Sequence, residues 1–311
     1  MKYSIVFPGQ GSQSLGMLSD LRSNFSVVNE IFQEASDALG VDLWKIAQED
    51  QEALNLAENT QPIMLASGYA TYKVLSNEVN LSPVCMAGHS LGEYTALVAS
   101  KSLNFFDAVK LVRRRAKLMQ SAVPIGYGSM VAILGLEDQK IIEICADVNE
   151  LGVVEAVNFN SPGQAVIAGE KRAVAYACEL LKEAGAKRAL VLPVSVPSHC
   201  SLMKDAAMSF KYSVDNVNLQ MGDGKVIHNI DADYAINIDE IKSKLVKQMY
   251  KPVLWTSTVQ KMKKIGVEKL IEVGPGKVLA GLTRRIDKTL SGSAIIDLDT
   301  LKSTIEEISY A

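Results

Sequence analysis

The chain has 311 residues, of which 48% are hydrophobic and 22% charged, and its formal net charge is −3. That length fits one large α/β domain or one domain carrying a smaller one, and the composition is that of a globular protein with a sizeable core. No segment approaches the roughly 18 uninterrupted apolar residues of a membrane span, and the charge balance leaves no overall footprint for nucleic acid; local basic clusters such as Lys261-Met262-Lys263-Lys264 and Arg284-Arg285 read as solvated faces.

The first apolar run, Tyr3-Ser4-Ile5-Val6-Phe7, reads as a buried strand and gives way at once to Pro8-Gly9-Gln10-Gly11. It is too short and too soon interrupted for a signal peptide, so the mature protein is expected to begin here. A long amphipathic helix is predicted from about Leu18 to Leu39, with Gly40 as its stop. Asn59 and Thr60 precede another helix, with Pro62 near its first turn, where a missing N–H does no harm. Val84-Cys85-Met86-Ala87 has the continuous apolar character of a central parallel strand covered on both faces. It runs into Gly88-His89-Ser90-Leu91-Gly92 and then directly into a helical pattern.

From about Gly128 the pattern is self-contained: strand 129–134, helix 138–148, strand 153–159, strand 165–168, helix 172–184, strand 188–194. This β-α-β-β-α-β order predicts a ferredoxin-like subdomain, residues 127–196, inserted into a parent domain made of residues 1–126 and 197–311. The parent resumes with a helix near 202–212, strand 225–230, helices 238–250 and 253–265, strand 269–273 and a helix opening at Gly276. Strand and helix alternate on both sides of the insert, which predicts a doubly wound, mainly parallel sheet.

Gly88-His89-Ser90-Leu91-Gly92 is the one G-x-S-x-G in the chain, a pattern that chance alone would put in roughly one chain in ten of this length. Its placement between a buried strand and a helix adds weight. Small residues flank a sharp turn that lifts the Ser90 Oγ above the sheet edge and aims the N–H of Leu91 at a forming oxyanion. A tight turn with a capping serine is the plain alternative. A serine nucleophile needs a base, most often histidine. His89 adjoins Ser90 within the turn and is expected to support the corner, and His228 alternates with Val226 and Ile230 on a predicted strand as a core histidine. His199, in the loop Val196-Pro197-Ser198-His199-Cys200, is the candidate base, and Cys200 reads as a buried thiol. On a helical wheel over Asp107–Gln120, Arg115 falls inside the arc of Val109, Leu111, Val112, Ala116, Leu118 and Met119. A buried guanidinium must meet an anion, and the wheel does not separate a protein carboxylate from a substrate carboxylate. The four cysteines, Cys85, Cys145, Cys178 and Cys200, lack zinc or disulfide spacing, which fits a reducing, cytoplasmic setting.

Taken together, the motifs resemble those of the malonyl-CoA:acyl carrier protein transacylase family of bacterial type II fatty acid synthesis. The resemblance runs from Phe7-Pro8-Gly9-Gln10-Gly11-Ser12-Gln13 through Gly88–Tyr94, Arg115, Asn158–Gln164 and Pro197–Cys200 to Gln248 and Glu272–Lys277, and covers nearly the whole chain. It implies a hydrolase-like α/β core with a ferredoxin-like insert. It further implies Ser90 as nucleophile, His199 as base oriented by the main-chain carbonyl of Gln248, the N–H groups of Gln10 and Leu91 as oxyanion hole, and Arg115 as the residue that binds the malonyl carboxylate. The implied reaction moves malonyl from malonyl-CoA to the phosphopantetheine thiol of holo-acyl carrier protein through a malonyl-serine ester, with no metal or other cofactor. The expected partners are those two substrates, without nucleic acid or membrane, and a monomer is expected. The rival readings are a serine esterase or thioesterase, a carrier-binding module with a decayed site, and a polyketide synthase acyltransferase.

Overall fold

The computed structural model describes residues 1–194 and 196–309. Ser195, inside the predicted insert, and Tyr310 and Ala311, at the end of the predicted parent domain, lie outside the described residues. Two sheets organise the chain. The first contains β1 (Tyr3–Phe7), β2 (Met86–Gly88), β7 (Val226–Ile227), β8 (Lys269–Val273) and β9 (Ser291–Ile295), in the order β7-β2-β1-β8-β9 with every pairing parallel. The second contains β3 (Gly128–Leu134), β4 (Val154–Ser161), β5 (Gln164–Glu170) and β6 (Arg188–Val191), antiparallel in the order β4-β5-β3-β6.

All five residues of β1 are buried, as a central parallel strand requires. Ile5 and Phe7 face one apolar layer with the helices Ser26–Leu39, Ala57–Glu78 and Phe105–Ser121, and Val6 faces another with Trp255, Val259, Met262 and Leu282. The antiparallel sheet has its own core, where Val131, Ile133, Ile167 and Val154 meet helices Asp138–Val148 and Lys171–Glu183. Its other face, through Met130, Val157 and Val166, packs on Cys200 and Leu202. Backbone bonds join the two sheets' surroundings, from Phe159 N–H to the Val253 carbonyl (3.0 Å) and from Val253 N–H to the Val157 carbonyl (2.8 Å). Among the described residues no helix is long and apolar enough to cross a membrane.

Several local expectations change, and the strand predicted over 188–194 ends at Val191. The helix predicted over 18–39 breaks at Phe25, which is extended (φ −135°, ψ 114°) and closes Ser19–Asn24 before Ser26–Leu39 begins; Gly40, at φ 65°, is the stop. The helix around Pro62 starts earlier, at Ala57, so Asn59 and Thr60 lie inside it. The Thr60 hydroxyl donates to the Leu54 carbonyl (2.5 Å) and the Asn59 amide to that of Ala53 (3.0 Å), tying the helix start to the preceding turn. The strand predicted over 225–230 ends at Ile227, because the chain turns at His228 to meet the corner after β2.

That corner is where backbones come closest. A Cβ on Gly88 would lie 1.9 Å from the Gly92 carbonyl carbon, and one on Gly92 would lie 2.1 Å from the Phe7 carbonyl oxygen. Those obstacles are main chain, which cannot rotate aside. Gly88→Ala and Gly92→Ala should each destabilise the protein by about 3 kcal/mol or more, the upper end of overpacking costs. Urea unfolding measures this, and a loss below about 1 kcal/mol would show that the corner relaxes.

Candidate active site

Strand pairing assembles the site. Phe7 and Gly88 are register partners at the carboxyl ends of β1 and β2, and three residues beyond each lie Gln10 and Leu91. The loop after β1 passes so near the corner that a Cβ on Gly9 would sit 2.5 Å from the His89 carbonyl oxygen. Gln10 and Leu91 both line a cavity of about 260 Å³ with Ser90, His199, Arg115 and Gln61. Neither the N–H of Gln10 nor that of Leu91 has a hydrogen-bond partner among the described residues. Leu91 also stands at the N-cap of the helix Gly92–Ala99, where free N–H groups favour negative charge.

Ser90 has φ 49°, a left-handed conformation that a non-glycine residue adopts only under constraint. Two side chains impose it. Asn229 accepts the Ser90 N–H on Oδ1 (2.8 Å) and donates Nδ2 to the Gly88 carbonyl (2.7 Å), while Gln248 Nε2 donates to the Ser90 carbonyl (2.8 Å). His199 is also strained, at φ 67°, and its N–H is held by the Met249 carbonyl (3.0 Å).

The Ser90 Oγ and His199 Nε2 lie 2.8 Å apart, and His199 Nδ1 lies 2.6 Å from the Gln248 carbonyl oxygen. A carbonyl only accepts, so Nδ1 carries the proton and Nε2 is free to receive that of the serine. Burial, followed by the nearby Arg115 charge, pushes the His199 pKa down to about 3. The ring is therefore neutral near pH 7. Among the described residues no carboxylate bonds to it, and the pair can pass a proton from oxygen to nitrogen.

Arg115, on the inner face of helix Phe105–Ser121, is 1% exposed, as the wheel predicts. Among the described residues it forms no ion pair with a carboxylate. Neutral groups surround it instead: NH1 donates to Gln61 Oε1 (3.0 Å), NH2 to Gln248 Oε1 (3.1 Å) and to the Ser90 Oγ (3.1 Å), and Nε has no partner among the described residues. The Tyr94 ring lies 5.5 Å from the guanidinium carbon. Burial lowers the arginine's pKa. Of the two anions open to a buried arginine, the protein carboxylate is not at bonding distance.

The remaining histidines stand apart from the proton pair. His89 Nε2 bonds Asn160 Oδ1 (2.9 Å) from β4, so it fastens the corner to the antiparallel sheet. His228 is buried and its Nδ1 lies 2.8 Å from Glu93 Oε1, a core histidine although not in a strand. Cys200 donates to the Pro197 carbonyl (3.0 Å), and burial pushes its thiol up to about 12.

Gln61 and Asn229 lie outside every motif of the sequence, and Glu93 and Asn160 lie within motifs that assign them no role. Gln61 was within reach, because a wheel over its helix puts it in line with Leu65, Gly68 and Leu75, the same anomaly that exposes Arg115. The others meet the site through contacts distant in sequence, for which no local pattern exists.

The model of the acyl transferase domain family matches residues 4–296. A malonyl CoA-acyl carrier protein transacylase of Haemophilus influenzae is 51% identical over 307 residues, 98% of each chain. The chain belongs to the malonyl CoA-acyl carrier protein transacylase family. Among solved structures, an acyl carrier protein S-malonyltransferase from Vibrio cholerae superposes with a TM-score of 0.96 at 51% identity, covering 98% of this chain and 100% of that one. A malonyl-transacylase solved with its holo type II PKS acyl-carrier protein gives 0.97 at 47% identity, covering 99% and 100%. The α/β architecture with a separate antiparallel sheet is that of this transacylase family.

The lowered histidine has a measurable sign. Below about pH 6.5 an unfolded chain protonates this ring and the folded one does not, so its contribution to stability falls as pH drops from about 6.5 toward 3, by about 1.4 kcal/mol per unit. In ring-labelled NMR spectra the His199 signals should stay constant between about pH 5 and pH 8, and a midpoint near 6.5 would contradict the burial argument.

Proposed function

We propose that the protein transfers a malonyl group from malonyl-CoA to the phosphopantetheine thiol of acyl carrier protein, through an ester on Ser90. The observation that carries this reading is Arg115, buried without a carboxylate partner and with NH2 only 3.1 Å from the Ser90 Oγ. An acyl group attached to Ser90 and ending in a free carboxylate brings the missing anion to the guanidinium. A planar, bidentate pair forms there that lysine would not reproduce.

In the first half-reaction the Ser90 oxygen attacks the thioester carbonyl as its proton moves to His199 Nε2. The Gln248 carbonyl, bonded to Nδ1–H, steadies the imidazolium. Charge on the tetrahedral oxygen is met by the free N–H groups of Gln10 and Leu91, and the bond to sulfur breaks, with His199 returning the proton to coenzyme A. In the second half-reaction the carrier's thiol gives its proton to His199, its sulfur attacks the ester, and the proton returns to the Ser90 Oγ. The chemistry assigned to these residues needs no metal or redox cofactor.

The nucleophile, base, oxyanion donors and Arg115 meet within one copy of the chain, so the proposed chemistry requires no second subunit, and a monomer is the working unit we propose. We assign residues 1–126 and 197–311 to the catalytic part and 127–196 to an insert that supplies the cavity wall through Met130, Asn158, Leu192, Val194 and Val196. All four cysteines are free, which supports a cytoplasmic setting. The esterase reading loses ground at Arg115, which an uncharged acyl group would leave uncompensated.

After incubation with malonyl-CoA, mass spectrometry should find the malonyl adduct on the unaltered protein and none on Ser90→Ala; an adduct on the variant would remove Ser90 from its role. Arg115→Ala should weaken malonyl transfer by about 2 to 5 kcal/mol and leave uncharged acyl groups little affected. Equal losses for malonyl and acetyl would make Arg115 a structural residue.

A further inference from the structure

Glu93 is the second residue of the helix Gly92–Ala99 and 1% exposed. An acidic residue in a first turn is ordinarily a partner of the helix dipole. That accounts for its charge but not for its bonds. Its Oε1 faces His228 Nδ1 (2.8 Å), and its Oε2 accepts the Asn229 N–H (2.9 Å) and Gln248 Nε2 (3.0 Å). Asn229 and Gln248 are the two side chains that hold Gly88 and Ser90 by their backbone groups.

The amide of Gln248 lies between Glu93 and Arg115, taking Glu93 on Nε2 and Arg115 on Oε1. An ionised carboxylate only accepts and a guanidinium only donates, so neither contact survives if the amide is turned over. The amide is polarised in one sense, with the negative group at one end and the positive group at the other. A direct ion pair would cover an edge of the guanidinium. Separation by one amide offsets its burial and keeps the edge toward Ser90 free.

We infer that Glu93 is the positioning residue of this site, orienting Asn229 and Gln248 around Ser90 and compensating Arg115 through the Gln248 amide so that the guanidinium remains open to a substrate carboxylate. This rests on the reading of Ser90 and Arg115 given above. Position and charge make separate demands, and two substitutions separate them. Glu93→Asp keeps the charge but withdraws it by one methylene from Asn229 and Gln248. Glu93→Gln keeps the reach: its oxygen still accepts from Asn229 and Gln248, and its NH2 faces His228, whose ring can accept in its other tautomer.

The test uses the full chain, with Ser90 acylation followed by mass spectrometry and binding of free malonate by calorimetry at low salt. Glu93→Asp should slow acylation by malonyl-CoA and acetyl-CoA alike, by about 100-fold, the cost of displacing reacting groups by about 1 Å. Glu93→Gln should bind malonate about tenfold more tightly, since the charge opposing an incoming anion has gone. A residue that merely fills space would not tighten anion binding. The inference is overturned if Glu93→Asp acylates within about twofold of the unaltered protein, or if Glu93→Gln binds malonate no more tightly. If the unaltered protein forms no adduct on Ser90, the transfer reading fails, whereas the malonate comparison needs no acylation and still decides the role of Glu93.

Discussion

A guanidinium sealed into the protein, with no carboxylate at bonding distance among the described residues, is the constraint around which the site is built. Leaving Arg115 without dipoles would be prohibitively costly, and pairing it directly with a carboxylate would occupy the edge that faces the cavity. The fold takes a third course, directing the amide oxygens of Gln61 and Gln248 and the hydroxyl of Ser90 at the cation. Those dipoles come from three separate segments, so the helices Ala57–Glu78 and Ile238–Gln248 and the corner after β2 must all be in place before Arg115 can be buried. The same charge helps to keep His199 neutral, so the state of the imidazole depends on the buried guanidinium.

Strain follows the same logic. Ser90 and His199 are two of five non-glycine residues with positive φ among the described residues, and they are the two that share a hydrogen bond at the cavity. Such conformations persist when surrounding bonds over-determine them. Here Asn229, Gln248 and the Met249 carbonyl do so. The serine and the imidazole are thereby held at hydrogen-bonding distance by groups outside the pair.

Much of this was legible from residue order. Gly88-His89-Ser90-Leu91-Gly92 announces a sharp turn because glycine alone tolerates main chain at 2 Å from its Cβ position, and Arg115 is conspicuous because a helix repeats every 3.6 residues. The β-α-β-β-α-β order over residues 128–191 follows from periodicity alone. Other features had no such signature. Glu93 has an ordinary local explanation as a first-turn acid, and its partners are 135 to 155 residues away. The carbonyl of Gln248 is a main-chain group, which no side-chain pattern marks; only the family resemblance pointed to it. β9, Ser291-Gly292-Ser293-Ala294-Ile295, has no strand signature in the sequence because small polar residues at a sheet edge carry little strand character. The helix break at Phe25 was hidden because the amphipathic pattern continues through it.

The equal distance of Gln10 and Leu91 from the paired residues Phe7 and Gly88 has a bearing on how the protein matures. Neither N–H is brought to the cavity by its own side chain; both are carried there by the alignment of two strands whose partners are about 80 residues apart in sequence. Slipping that alignment by one residue would shift one donor along the strand by about 3.3 Å and turn its neighbours to the opposite face. A chain collapsed around the correct hydrophobic layers but misaligned at its centre would have the serine, the histidine and the arginine and still lack the two converging N–H groups proposed to meet the oxyanion. If Gln10 and Leu91 serve as proposed, acyl-transfer activity regained during refolding cannot precede the pairing of β1 with β2.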